Sequence, residues 1–172
     1  MNRRVCVTLV VGMVILLSML PLPVFAQEAG PFPVTGSFNY TAEVLASLEA
    51  NGNTFSDATE NEVWIGDFEG TAVSPFPLVA WSSGEREAWL LTTFEGTVLG
   101  EYEGTLTMIA IYTKPNGVAE WHGKWMIVSG TGDLEHLRGH GVAWGPGSSH
   151  AEEGMPHILY TGEVMFLEPM SE

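Results

Sequence analysis

Only one cysteine occurs in the 172 residues, Cys6, and it lies in an N-terminal stretch unlike the rest of the chain. There Arg3 and Arg4 precede an apolar run from Val5 to Leu20, and Val24-Phe25-Ala26 closes it with a small-residue cleavage pattern. This order predicts a secretory signal peptide over residues 1–26. The run is short for a membrane span, which needs about 20 residues, and Pro21 and Pro23 end it. The expected product is a secreted or periplasmic domain, residues 27–172, with no membrane association once the leader is cleaved. That domain has no thiol, which excludes a disulfide, a cysteine nucleophile and a thiolate metal site. Its stability must come from a packed core, and 146 residues are enough for one.

Cations are almost as scarce. Beyond residue 26 only Arg86, Lys114, Lys124 and Arg138 are strongly basic, against all 21 Asp and Glu, a balance of 4 − 21 = −17. Nucleic acid and anionic membrane surfaces both need neutralising cations, so neither is expected as a partner. Known catalytic motifs are absent too. There is no Gly-x-Ser-x-Gly elbow, no His-Glu-x-x-His pair and no dinucleotide or phosphate loop. His122, His136, His140, His150 and His157 follow no metal-ligand spacing, so no metal and no cofactor is expected. Long helical periodicity is also missing; only 42–50 would pass for two helical turns.

What remains is a pattern of period two. Strands are expected over 34–48, 62–74, 78–81, 86–93, 98–112, 118–128, 139–144 and 158–167, with 50–61 read as a polar loop. Pro75, Pro77, Ser83-Gly84, Gly100 and Pro115-Asn116-Gly117 punctuate them, the last as a hairpin signal. Seven or eight strands at such spacing make a sandwich or a closed barrel. Aromatic and glycine residues alternate on shared faces: Trp64-x-Gly66-x-Phe68-x-Gly70, Phe94-x-Gly96, Tyr102-x-Gly104, Trp121-x-Gly123-x-Trp125 and Tyr160-x-Gly162. Glycines let strands coil and rings cover the bare backbone, so these faces should turn inward. Glu69, Glu95, Glu103 and Glu163 then face out, with Thr92 and the tyrosine hydroxyls the expected polar groups inside. Ile109 and Ile111 would lie outside and mark the contact if the chain forms a homo-oligomer.

The residues from Ser129 to Gly141, Ser-Gly-Thr-Gly-Asp-Leu-Glu-His-Leu-Arg-Gly-His-Gly, form a glycine-rich bend with Leu134 and Leu137 as plugs for one barrel end. Preceded by Trp125-Met126-Ile127-Val128, this stretch resembles a bend of the allene oxide cyclase and dirigent barrels. It is most similar to a related bacterial family of small barrels without an established activity. Gly66-Asp67-Phe68-Glu69-Gly70, Phe94-Glu95-Gly96-Thr97 and Tyr102-Glu103-Gly104 fit that family in the same order, over roughly residues 34–166. The resemblance implies an all-β, eight-stranded antiparallel barrel, like a lipocalin's, and carries over no catalytic residue.

Three functions remain open on these grounds. The chain is an exported binder of a small apolar or aromatic molecule, an isomerase or cyclase of the allene oxide cyclase type, or a structural or protein-interaction barrel with a filled interior. The candidate ligand-binding set is Trp64, Phe68, Phe94, Tyr102, Tyr112, Trp125, Arg138 and Tyr160. Arg138 either anchors an anionic ligand group or pairs with Glu69 or Glu103. The segment Gly145 to Pro156 is read as a long loop placed to cover one mouth.

Overall fold

The computed structural model describes residues 30–146 and 158–167. Eight strands follow one another: β1 (Phe32–Ala50), β2 (Asn53–Gly66), β3 (Phe68–Ala80), β4 (Arg86–Val98), β5 (Tyr102–Lys114), β6 (Trp121–Gly130), β7 (Leu137–Gly145) and β8 (Ile158–Phe166). Each pairs antiparallel with the next, and β1 with β8, so the sheet closes on itself. A single turn of 3-10 helix, Gly132–Leu134, lies between β6 and β7. The fold is the expected all-β barrel.

The strand bounds depart from the sequence reading in instructive ways. The stretch read as a loop over 50–61 is a hairpin turn followed by most of β2. Asn51 and Gly52 take φ of 53° and 78°, the left-handed pair that a two-residue hairpin turn requires, and pairing resumes at once with Ala50 opposite Asn53. The expected single strand over 62–74 breaks at Gly66-Asp67. Gly66 has φ 120°, and the Asp67 carboxylate accepts a hydrogen bond from Thr35 N at 2.7 Å, while Asp67 N donates to Thr35 O at 3.0 Å. The expected strand over 98–112 breaks in the same way, at a turn in which Leu99 and Gly100 both have positive φ. Conversely, β3 runs straight through Pro75 and Pro77 into 78–81. Proline has no N–H to give, and the β3–β4 ladder is interrupted from Val73 to Leu78, where none is needed. The helical alternative for 42–50 is not adopted; those residues pair with β2.

The barrel has two unlike ends. One is formed by the starts of β1, β3, β5 and β7 and the ends of the other four strands. Leu134 and Leu137 close it, both completely buried. Just inside, Phe68, Phe94, Trp125, Tyr160 and Trp64 pack edge-to-face or tilted with ring centroids 5.1–6.0 Å apart. The walls of the other end differ in height. β1 reaches 19 residues and β8 nine, and among the described residues β1 pairs with β8 from Phe32 to Phe38. Among the described residues the interior is filled at one end and not at the other.

The predicted alternation holds. Trp64, Phe68, Phe94, Trp125 and Tyr160 are buried, and Glu69, Glu95, Glu103 and Glu163 are exposed. Ile109 and Ile111 lie outside and exposed, Ile109 in one cross-strand row with Leu91 and Met126. Since a strand cannot shift by one residue without exchanging its faces, Phe94→Glu should leave no cooperative thermal transition. Glu95→Gln should change stability by less than about 0.5 kcal/mol. Melting curves for the two variants in the reverse order would overturn the assignment of faces.

Candidate functional site

Above the aromatic floor lies a cavity of about 300 Å³ that opens at the unplugged end. Its walls come from nearly every strand, because the inner positions recur at every second residue. β1 supplies Phe38, Tyr40 and Ala42; β3 supplies Phe76 and Leu78; β4 supplies Arg86, Ala88 and Leu90. Tyr112 of β5, Trp121 of β6 and Ile158 of β8 complete the apolar lining. The remaining wall is Glu60 of β2. A wider hollow of about 550 Å³ lies outside the wall, over Ile111, Lys124, Val142 and Trp144, and contains no buried polar group.

Glu60 is 6% exposed and its neighbour on the same face, Glu62, 3%. Two carboxyls inside a barrel run against the general rule that charges stay in water. A hydrogen-bonded chain makes the arrangement tenable. Trp64 Nε1 donates to Glu62 Oε2 at 2.7 Å, and Ser74 Oγ donates to Glu62 Oε1. With its proton committed there, Ser74 Oγ accepts from Thr92 Oγ1 at 2.7 Å. Glu60 in turn is hydrogen-bonded to Glu62. The chain thus crosses from β4 through β3 to β2 and ends on the carboxyl that faces the cavity.

The two carboxyls have divided roles. Burial pushes Glu60 up to about 9, helped by the negative charge of Glu62 and by the hydrogen bond between them. Burial also raises Glu62, but hydrogen bonds from Ser74, Trp64 and Glu60 pull it back. Glu60 therefore keeps its proton at neutral pH, and Glu62 is the carboxyl of the pair whose hydrogen bonds work against its burial and favour the ionised form. Tyr112 is pushed well above its ordinary value by burial first and then by the charges of Glu62, Glu60 and Tyr40. Tyr40 is raised to about 12 by burial and by Glu60. Among the described residues no lysine or arginine forms an ion pair with either carboxylate. Arg86, the one cation of the lining, sits at the exposed rim.

Of the eight candidate residues, Tyr112 alone lines this cavity. Trp64, Phe68, Phe94, Trp125 and Tyr160 form the packed floor, and Trp64 meets the site through its bond to Glu62 and by stacking on the lining residue Phe38, ring centroids 4.5 Å apart. Tyr160 has a structural partner of its own: its hydroxyl accepts from Phe68 N at 2.9 Å. Tyr102 is half-buried at the plugged end against Phe166, ring centroids 4.5 Å apart. Arg138 is at that end too and pairs with neither Glu69 nor Glu103; its guanidinium donates to Glu135 O at 3.1 Å and Leu137 O at 2.7 Å. The expectation that only Thr92 and tyrosine hydroxyls are polar inside is corrected by Glu60, Glu62 and Ser74. For Glu60 the reason is that the polar residues 50–61, which include most of β2, read as a loop; Glu62 and Ser74 fall inside the expected strand over 62–74, and Ala58, Glu60, Glu62 and Trp64 share one inward period of two. The segment expected to cover the mouth falls, from residue 147 on, outside the described residues.

The carboxyl pair makes stability depend on pH. An unfolded chain gives up the Glu60 proton near pH 4.5, whereas the fold keeps it to about pH 9. Between those values the unfolded state binds fewer protons, so this group's contribution falls as pH rises and levels off above about 9. Glu60→Gln keeps a donor toward Glu62 and removes the titration. Its melting temperature should match the wild type near pH 4.5 and exceed it by roughly 10 °C at pH 8. Parallel melting curves from pH 4.5 to 8 would contradict a proton held on Glu60.

The geometry can be set beside other proteins. No curated protein matches the chain. Among solved structures, a protein with unknown function from the DUF3224 family of Shewanella oneidensis MR-1 superposes with a TM-score of 0.66. The match covers 81% of this chain and all of that one at 15% identity, a level that speaks for the fold alone. The family description "Protein of unknown function (DUF3224)" fits residues 34–152, from β1 through the end of β7, and the chain belongs to that family.

Proposed function

We propose that this protein is an exported binder of a small apolar or aromatic molecule, held in the open half of the barrel. The observation that carries this reading is the cavity of about 300 Å³, bounded by aromatic and aliphatic side chains and by one carboxyl. Ligand sites have this composition, mostly apolar with a few placed polar groups, and this volume is at the small end of their range. A filled interaction barrel would need no such cavity, and the packing of the plugged end already supplies the rigid floor. Export rests on the basic-apolar-small order of residues 1–26.

An isomerase or cyclase of the allene oxide cyclase type, with kinship to that superfamily, is the second reading, and one observation favours it. A carboxyl that keeps its proton at neutral pH and faces a cavity can donate that proton to a bound substrate and recover it. Burial and a second carboxylate, Glu62, are the usual means by which an acid is tuned for that task.

Native mass spectrometry of the protein purified from its own host should reveal a co-purifying small molecule. Ala88→Phe places a ring in the cavity from a buried position on β4 and should abolish the adduct while the thermal transition persists. An adduct that survives the filled cavity would place the ligand elsewhere and overturn this reading.

A further inference from the structure

The carboxyl pair is more than binding an apolar molecule requires. A purely hydrocarbon ligand would gain nothing from Glu60, and a wall of leucine there would serve it better. Nor does the pair serve the fold as an ion pair, since among the described residues no lysine or arginine meets it. The polar chain from Thr92 through Ser74 to Glu62, with Trp64 Nε1, supplies hydrogen bonds that favour an ionised carboxyl. These donors make Glu62 the carboxyl of the pair whose ionised form is favoured, and it stands behind Glu60, whose own carboxyl is at the cavity wall.

We propose that the ligand carries a protonated nitrogen, an organic ammonium whose charge rests against Glu60, with Glu62 behind it, and whose apolar body lies among Phe38, Phe76 and Tyr112. The inference rests on the small-molecule reading above and names the class of its ligand. Two further features agree with it. The faces of aromatic rings attract cations, and Phe38, Tyr40, Phe76, Tyr112 and Trp121 all line this one cavity. The charge of −17 beyond the leader draws cations toward the domain and holds organic anions off. An organic acid would have to leave its carboxylate at the rim with Arg86, because among the described residues no other cation lines the cavity and the Glu60 carboxyl stands deeper in.

Binding of such a cation must be linked to protons. The groups that face Glu60 are Glu62 beside it on β2, Tyr40 on β1, Arg86 on β4 and Tyr112 on β5; β3, β6 and β8 present Ser74, Phe76, Leu78, Trp121 and Ile158, none of which titrates in this range. The two tyrosines are raised and stay neutral through neutral pH, so the carboxyl pair, with Glu60 at the cavity wall, is what responds. An ammonium beside it favours its ionised form, and complex formation near pH 7 releases a proton. Affinity for an amine should therefore rise from pH 6 to pH 8.5.

The test uses three probes with one body and different heads, 2-phenylethylamine, 2-phenylethanol and 3-phenylpropionate, titrated calorimetrically into the mature protein. The amine should bind about tenfold or more tighter than the alcohol. It should also release protons, visible as a buffer-dependent heat, and lose its advantage in Glu60→Gln. Because that variant keeps its hydrogen bond to Glu62, its thermal transition serves as the folding control. Equal affinity for amine and alcohol would overturn the ammonium inference and leave the small-molecule reading standing. Tightest binding of the propionate, abolished by Arg86→Gln, would overturn it in favour of an acid held at the rim. Failure of all three probes to bind at millimolar concentration would overturn the pocket reading, and the ammonium inference with it.

Discussion

Rings lying flat against glycines of neighbouring strands are the contact on which this barrel depends. Tyr160 covers Gly36, Trp125 covers both Gly141 and Gly162, and Tyr112 covers Gly123; a Cβ at any of these glycines would collide with the ring. Each pairing lets a large side chain cross the barrel at the level of the backbone, so a few aromatics fill a cross-section that eight strands could otherwise leave empty. The filling is uneven. Three of the five floor rings, Trp64, Phe68 and Phe94, come from the plugged half of their strands, while Ala42, Ala58, Ala88 and Glu60 are smaller or polar residues of the inner face toward the other end. The cavity is the volume that the floor does not occupy.

Glu60 and Glu62 are set into that boundary between filled and open halves. Water could not serve Glu62 there, and the bonds from Trp64 and Ser74 replace it, so the floor and the site share a residue in Trp64. A single indole thus belongs to the core by its ring contacts and to the site by its N–H. The pair destabilises the fold at neutral pH relative to two uncharged side chains, a cost of the kind that functional sites carry and structural cores shed. That contrast is the physical ground for placing function at this end rather than at the plugged end. There Arg138 and Tyr102 are accounted for by a pair of carbonyls and a ring contact.

Most of the fold was legible in the sequence because aromatic-glycine alternation states both the face and the curvature of a strand. The faces of Phe94 and Glu95 follow from it, the plug follows from the glycine-rich bend over 129–141, and turn punctuation gives seven or eight strands, of which the family resemblance implies eight. The site was not legible for a related reason. Reading burial from hydrophobicity assigns a polar strand to a loop, and β2 holds Glu60, Asn61 and Glu62 in succession. The usable signal was the period of two through Ala58, Glu60, Glu62 and Trp64, in step with the aromatic face, together with Asn51-Gly52 as a hairpin turn. Proline misled in the opposite direction. Pro75 and Pro77 break a strand only where an N–H is needed, and the gap in the β3–β4 ladder removes that need. No local pattern reports which positions on β4 lack a partner, since that depends on the shear of the closed sheet.

The central claim is that a neutral carboxylic acid stands at the wall of an apolar cavity at physiological pH. Infrared spectroscopy of the protein in heavy water reads this directly, through the carbonyl stretch that a protonated carboxyl has and a carboxylate lacks. A band of this kind should be present at neutral pD, disappear in Glu60→Gln, and fade in the wild type as the solution is taken toward about 9. A spectrum at neutral pD containing only carboxylate bands, identical in wild type and variant, would contradict the account.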